Sequence, residues 1–381
     1  MAKAGSRAGR PTMRKVVVVI CLVTIGGLFI GVARQSLGAT NATAGVVDLE
    51  ADGAAMLHPM TTLLTELVTA QSAAVRGDRV QQETVRTAMS ALFEPDAQYG
   101  VVLQTDQRLE DLRAQIEAAF SVAATGSAAY ATWSAIVDLA VDLMRVIGDT
   151  SHLVHDPDLD SYYLMEAAIV RLPDTMVAAG RAADVVELAG GNELAGEDLV
   201  RAAVLRFNVA DHAERVSDGL LTSVDFTANS QLGTSIAPRL DEFRAAADAF
   251  SPPTMLHDLA TEVDAATMAD NASLVFAKAA QLSHLLLTEL QTLLQVRADD
   301  LARQQRSTLI AGAAGGVLAV VILWLVAVSG RRDGGPSVDE PSTHVARGFA
   351  SVGFQRGARD AAASGSRDMA GTGARRSGNA Q

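Results

Sequence analysis

The sequence predicts an all-α protein, an elongated helical bundle outside a membrane with a transmembrane helix at each end. Three observations carry this: two apolar runs of bilayer length, opposite charge balances between and beyond them, and a helical period through the intervening segment. The runs are Val16 to Ala33 and Thr308 to Val328, and neither contains Asp, Glu, Lys or Arg. A hydrocarbon core of roughly 30 Å takes about 20 such residues of helix.

Charge supplies the orientation. Residues 1–15 hold Lys3, Arg7, Arg10, Arg14 and Lys15 with no acid, and Arg331 and Arg332 follow the second run, so both flanks read as cytoplasmic. Residues 34–306 hold 18 Lys plus Arg against 39 Asp plus Glu, a net of -21 within a chain of -13. The expected organisation is a basic N-terminus (1–15), a first transmembrane helix (16–33), an extracytoplasmic helical domain (34–306), a second transmembrane helix (307–328) and a tail (329–381). That is a two-pass protein of the cytoplasmic (inner) membrane, with the lipid bilayer as a partner. A cleaved leader is the weaker reading of the first run, because the small-residue site at Ala42 and Ala44 lies too far past the apolar stretch.

The acidic balance argues against nucleic acid, since a phosphate backbone needs a basic footprint. The one cysteine, Cys21, lies in the first apolar run, so the exported part has neither a disulfide framework nor a cysteine metal site.

Between the runs the segment is rich in Ala, Leu and Val and poor in aromatics. A helix is expected from Ser127 to Gly148, where Tyr130, Trp133, Val137, Ala140, Met144 and Ile147 recur at steps of three and four, the pattern of a bundle or coiled-coil seam. Another is expected from Asp270 onward, with a stripe of Ala279, Leu282, Leu286, Leu290 and Leu293. No Pro or Gly interrupts it before Thr308, so it can enter the bilayer unbroken. Breakers at Gly77, Pro95, Gly126, Pro157, Gly190 with Gly191, Gly219, Gly233 and Pro252 with Pro253 cut the segment into seven or eight pieces. Two four-helix bundles stacked end to end, sharing the first and last helices, are favoured over one elongated bundle.

One stretch stands out: GDTSHLVHDPDLDSYYLMEAAIVRLP, Gly148 to Pro173. It reads as a helix end, an acidic turn stiffened by Pro157, and a new helix capped by Asp160, with Asp158 as the alternative cap. In the new helix Tyr162, Met165, Ile169, Leu172 and Met176 share one face while Tyr163, Ala167 and Val170 cover a neighbouring one, so it is expected to be buried on several sides. Pro173 should kink it. The seam from Tyr130 to Ile147 beside so apolar a helix predicts a homodimer.

This stretch resembles the DPDLDSYYLM and RLP signature of the periplasmic sensory domains of a group of bacterial methyl-accepting chemotaxis receptors, also found on sensor kinases and diguanylate cyclases. The likeness runs from about Trp133 to Ala182. It implies a central helix of a membrane-flanked helical ligand-binding module, and a chemoreceptor-like sensory function. Where such receptors carry a His-Arg-Gly step in the first long helix, this chain has Gln71, Ser72 and Ala73.

Sharper chemistry is not expected. Asp156, Asp158 and Asp160 begin like a calcium loop, but Ser161 and Ala167 stand where that loop needs Gly and Glu. His152 and His155 lack the further ligands of a zinc site. With no phosphate loop, nucleophile elbow or metalloprotease motif, neither an enzyme nor a cofactor is expected. Candidate ligand-binding residues are Arg145, His155, Tyr162, Tyr163 and Arg171: two guanidiniums flanking a turn suit a carboxylate or phosphate, and two tyrosines can stack or hydrogen-bond. The competing reading has both arginines paired with native acids such as Asp142 or Asp174.

The final 52 residues, Gly330 to Gln381, are Gly, Ser, Ala and Arg with scattered apolar residues and are expected to be disordered, carrying no output segment. A small molecule or binding protein would then be sensed and relayed through the membrane helices to a separate output protein. The alternatives are a structural or interaction protein using a helical rod in the envelope, and a truncated or frameshifted receptor remnant.

Overall fold

The computed structural model describes residues 10–155, 159–191, 194–226, 232–251 and 264–331. The chain divides into two units, Met1–Ala327 and Val328–Gln381. Expectations on the tail beyond Arg331, on Pro157 and on Pro252 with Pro253 fall outside the described residues.

Among the described residues the fold is helical, with no strand. The helices are α1 (Arg10–Arg76), α2 (Gln82–Ser90), α3 (Phe93–Leu103), α4 (Asp106–Val122), α5 (Gly126–Thr150), α6 (Leu159–Met165), α7 (Leu172–Leu188), α8 (Gly196–Phe226), α9 (Leu232–Phe250) and α10 (Ala265–Arg331). A 3-10 turn, Leu153–His155, precedes α6, and a π-helical stretch, Glu166–Arg171, joins α6 to α7.

That π stretch is where Pro173 acts. Proline offers no N–H to the carbonyl of Ile169 and its ring crowds that turn. The helix accommodates this by widening: the N–H of Leu172 donates to the carbonyl of Ala167, five residues back. The expected kink is therefore a π bulge in an otherwise continuous run. The expected break at Gly219 does not occur either. α8 passes straight through it, because a Cβ there would stand 3.1 Å from the ring of Tyr163, and the glycine makes room for that ring.

Chain direction follows from paired contacts. Phe120 of α4 packs on Trp133 of α5, and the Thr150 hydroxyl at the end of α5 donates to the Leu103 carbonyl at the end of α3. On α1, Gly53 abuts Ser151 while Gln71 meets Ser134, so α1 and α5 run antiparallel. α7 lies antiparallel to α5 through Arg145–Asp174 and Arg181–Asp138. α8 opposes α6 at Gly219 and Tyr163, and opposes α9 where Arg206 Nε donates to the Phe250 carbonyl. α9 and α10 are joined by Lys278–Glu242 and by Asn271 donating to the Ala249 carbonyl.

These pairings set the passes side by side at one level. The turn after α5 reaches α1 at Gly53, and the start of α6 reaches α10 through Arg297 donating to the Ser161 hydroxyl. Two bundles stacked end to end would give α1 and α10 different neighbours in an inner and an outer layer. One lateral array sharing one core replaces that expectation.

The core draws on all the long helices. Met56, Leu57, Met60, Leu63, Leu64 and Leu67 of α1 are fully buried, as are Phe243 of α9 and Leu282, Leu286 and Leu290 of α10. The α5 seam is buried too: Val137, Ala140, Met144 and Ile147 are inaccessible and Trp133 nearly so. So are Met165, Ile169, Leu172 and Met176 of the signature helix. The sequence-based case for a homodimer relied on this apolar surface, and folding has already covered it within the chain. Tyr130 stays half-buried at its edge.

α1 and α10 extend past the core. They pair antiparallel: His58 and His284 stack edge-on at 5.1 Å, Gln291 donates to the Ala54 carbonyl, and Gln305 donates to Asn41. α1 continues through Pro59 without a break, and α10 contains no proline. Among the described residues one helix is long and apolar enough to cross a membrane, within Ala265–Ile322 of α10. Its apolar end is uncovered, with Ile310, Val317, Val320 and Trp324 all exposed. Leu28 and Val32 of α1 are likewise exposed.

Candidate functional site

Residues three or four apart on a helix share a face, and three helices use this to build a groove. α5 supplies Asp138, Val141, Asp142 and Arg145; α7 supplies Asp174, Val177, Ala178 and Arg181; α8 supplies Leu205, Asn208 and His212. The space is about 390 Å³, with aliphatic residues at the helix seams and charged ones around them. That is a volume suited to a small molecule.

Arg145 bridges two helices, reaching Asp142 Oδ1 at 3.0 Å on its own helix and Asp174 Oδ1 at 2.7 Å on α7. Arg181 Nη2 holds Asp138 Oδ1 at 2.7 Å and donates to the Ser134 carbonyl at 3.2 Å. Its Nε is buried and has no partner. By contrast, Arg86 places Nε and Nη2 on the two oxygens of Glu117, and Arg171 places both on Oε1 of Glu166. His212 adds a second unpartnered buried nitrogen, Nδ1, to the same groove. Burial pushes the His212 pKa down, and Arg171 and Arg215 add to the fall while Asp174 and Asp211 oppose it.

The neighbouring face of α7, turned to α1, holds a sealed polar cluster one turn from Arg181. Gln71 Nε2 donates to Asp184 Oδ2 at 2.6 Å, and Gln71 Oε1 accepts from the Ser134 hydroxyl at 3.4 Å. Asp184 is 2% exposed. Burial raises its pKa, against hydrogen bonds from Ser72 and Gln71 and the more distant charges of Arg76 and Arg181. At Gln71 the first long helix thus presents an amide turned inward to a buried carboxylate.

Of the five residues proposed for ligand binding, Arg145 lines the groove, and it is engaged by the two acids named in the competing reading. Arg171 stands outside the lining and pairs with Glu166 one turn back. Tyr162 and Tyr163 meet edge to face at 5.2 Å, and Tyr163 packs on Gly219 of α8, away from the groove. The side chain of His155 lies outside the described residues, as does Asp158. α6 is described from Leu159 onward, and the side chain of Asp160 is not described, so the cap expected there also lies outside the described residues. No group of three or more His, Cys, Asp or Glu suited to a metal occurs among the described residues.

Asp138, Arg181, Asn208 and His212 escape sequence reading. The signal that finds them is two-part: polar residues at helical spacing on α5, α7 and α8, and the antiparallel register that brings those stripes together. The first part is in the sequence and the second is not. Compared with protein-family models, with curated proteins and with solved structures, the chain matches none.

Proposed function

We propose that this chain is a two-pass membrane sensor whose lateral helical array binds a signal outside the cytoplasmic membrane and passes it through α1 and α10 to a partner at the inner surface. The observation that carries the reading is the register of α1 against α10. A step of 13 residues along α1, from Ala54 to Asn41, is matched by one of 14 along α10, from Gln291 to Gln305. Continued at that rate, the pairing sets Ala33 to Cys21 of α1 opposite about Ala314 to Ala327 of α10, so the two apolar runs fall at one depth.

Lipid is the natural cover for the apolar belts those helices expose, and the basic flanks favour the inner surface for both ends. Two unbroken helices rooted in one core give any rearrangement of that core a mechanical route inward. The resemblance of the Gly148 to Pro173 stretch to chemoreceptor sensory domains supports sensing over a passive spacer.

Single cysteines placed at Ser6, Asp106 and Ser337 in a Cys21→Ser background test the topology with a membrane-impermeant maleimide. The expected result is labelling of Asp106→Cys in intact cells, and of the other two only after permeabilisation. Labelling of Ser337→Cys in intact cells would sink the two-pass reading.

A further inference from the structure

We propose that His58 of α1 and His284 of α10 form an acid-sensitive latch: with both rings neutral the two helices stay paired where they leave the core, and protonation of the rings drives them apart. The device belongs to the α1–α10 pairing and needs no ligand. It rests on the two-pass reading only for the compartment whose acidity it meets.

The rings meet edge-on with centroids 5.1 Å apart, one from each of the two helices that run on from the core. Both are half-buried, and Nδ1 of His58 is buried without a hydrogen-bond partner. The threonines that flank them are turned to backbone: Thr61 donates to the Leu57 carbonyl, Thr62 to that of His58, and Thr288 to that of His284. The rings are left to each other. Burial pushes the His284 pKa below its ordinary 6.5, and the neighbouring His58 pushes it further the same way.

Acids that could absorb a new positive charge are not at hand. Within one turn of either histidine its own helix carries no Asp, Glu, Lys or Arg. On α1, Asp52 and Glu66 lie about two turns to either side, and both are held toward the neutral form, Asp52 by burial and by Asp48, Glu66 by burial. Glu50 is buried lower down. On α10, Lys278 adds charge of the same sign, and Glu289 stands five residues on, at another face. From α9, Glu242 is shared by Arg239 and Lys278; from α5 and α7, Asp142 and Asp174 share Arg145, and Glu166 before α7 holds Arg171. His58 is the one group whose charge shifts His284. Two imidazoliums formed there repel across the helix pair.

Below the histidines the pairing is held lightly. Gln291 donates to the Ala54 carbonyl and Gln305 to Asn41, neutral hydrogen bonds that are individually weak. A Cβ on Gly38 or Gly45 of α1 would meet nothing within 4 Å. The direction of the response follows from linkage: a histidine whose folded pKa is depressed contributes stability that is complete above its ordinary 6.5 and is lost as pH falls through the folded value. Mild acid therefore loosens this junction, and neutral pH closes it.

Pulsed electron resonance on the full chain in lipid nanodiscs reads the separation, with nitroxides at Ala42→Cys and Gln304→Cys, both exposed, in a Cys21→Ser background. Between pH 7.5 and pH 5 the distance should lengthen reversibly by about 5 Å, one helical pitch, with its midpoint below 6.5. The pair of substitutions His58→Gln and His284→Gln should keep the neutral distance throughout. Each alone leaves one ring without a like-charged neighbour and should lose most of the change, so the single variants carry the test if circular dichroism shows the double one unfolded. His212→Gln and Asp184→Asn, elsewhere in the array, should respond as the parent does. A parent distance that ignores pH overturns the proposal, as does a histidine-free pair that opens in acid or stands open at pH 7.5, or a response that vanishes with His212 or Asp184. The topology labelling succeeds or fails independently of all these outcomes.

Discussion

Helix α7 carries Asp184 on the side turned to α1 and Asp174 on the side turned to α5 and α8, and the two carboxylates are held by different chemistry. Asp184 is sealed and met by an amide and a hydroxyl at close range, and its pKa rises. Asp174 is a quarter exposed, shares a guanidinium with Asp142, and borders open space. The sealed side therefore fixes one arrangement of α1 against α7, while the open side leaves its charges within reach of solvent. A closed and an open electrostatic environment thus sit on two neighbouring faces of one helix.

The strongest way to break this division is to force the sealed face apart. Gly180 lies against Val68 so closely that any Cβ would collide with its Cγ1. Gly180→Leu is expected to lower stability by about 3 kcal/mol through overpacking, read by chemical denaturation of the detergent-solubilised chain. A change under 1 kcal/mol would show that α1 and α7 are not tightly joined there.

Gln71→Leu attacks the same face chemically. It leaves the buried Asp184 carboxylate without its nearest donor, and the expected cost is about 2 kcal/mol. Denaturation at neutral pH measures it, and a neutral outcome would mean Ser72 alone satisfies the carboxylate.

Asp184→Asn should have the opposite sign and a smaller size. A carboxyl whose folded pKa lies above its ordinary value of 3.8 contributes stability that is complete below that ordinary value and is lost as pH rises through the raised folded value. The parent protein should therefore weaken over that window relative to Asp184→Asn, whose stability should be flatter with pH. Parallel melting profiles at pH 4 and pH 7 would count against the raised pKa.

The smallest effect belongs to the open face. Arg145→Ala removes two solvent-screened ion pairs, to Asp142 and to Asp174, and the expected loss is about 0.5 kcal/mol. A loss above 2 kcal/mol in a melting experiment would mean that the groove charges hold the fold together.

The legible part of the fold is the part written in local period. The seam on α5 and the stripe on α10 are visible because one helix carries each pattern, and Trp133, Met144, Leu282 and Leu290 are buried as their spacing implies. What spacing does not carry is lateral arrangement. Nothing in the residues says that α6 meets α10 at Ser161 and Arg297, so stacking and side-by-side packing read alike until contacts decide. Gly219 misleads for a related reason: its meaning lies in Tyr163, 56 positions away. The candidate site shows the same limit. Arg145 stood out as a guanidinium flanking a distinctive turn, whereas Arg181 and His212 gain significance only from the hydrogen bonds they fail to make.

Pro59 gives α1 a mechanical property that α10 lacks. With no N–H at Pro59, the carbonyl of Ala55 loses its helical partner, and this gap lies beside the His58–His284 contact. From there to Val16 the helix runs for roughly 65 Å. A bend of about 5° at the gap swings the far end by about 6 Å, close to one helical pitch. α10, free of proline from end to end, is a fixed post beside that arm, so the same small angle that scarcely disturbs the core becomes a large relative displacement at the other end of the pair.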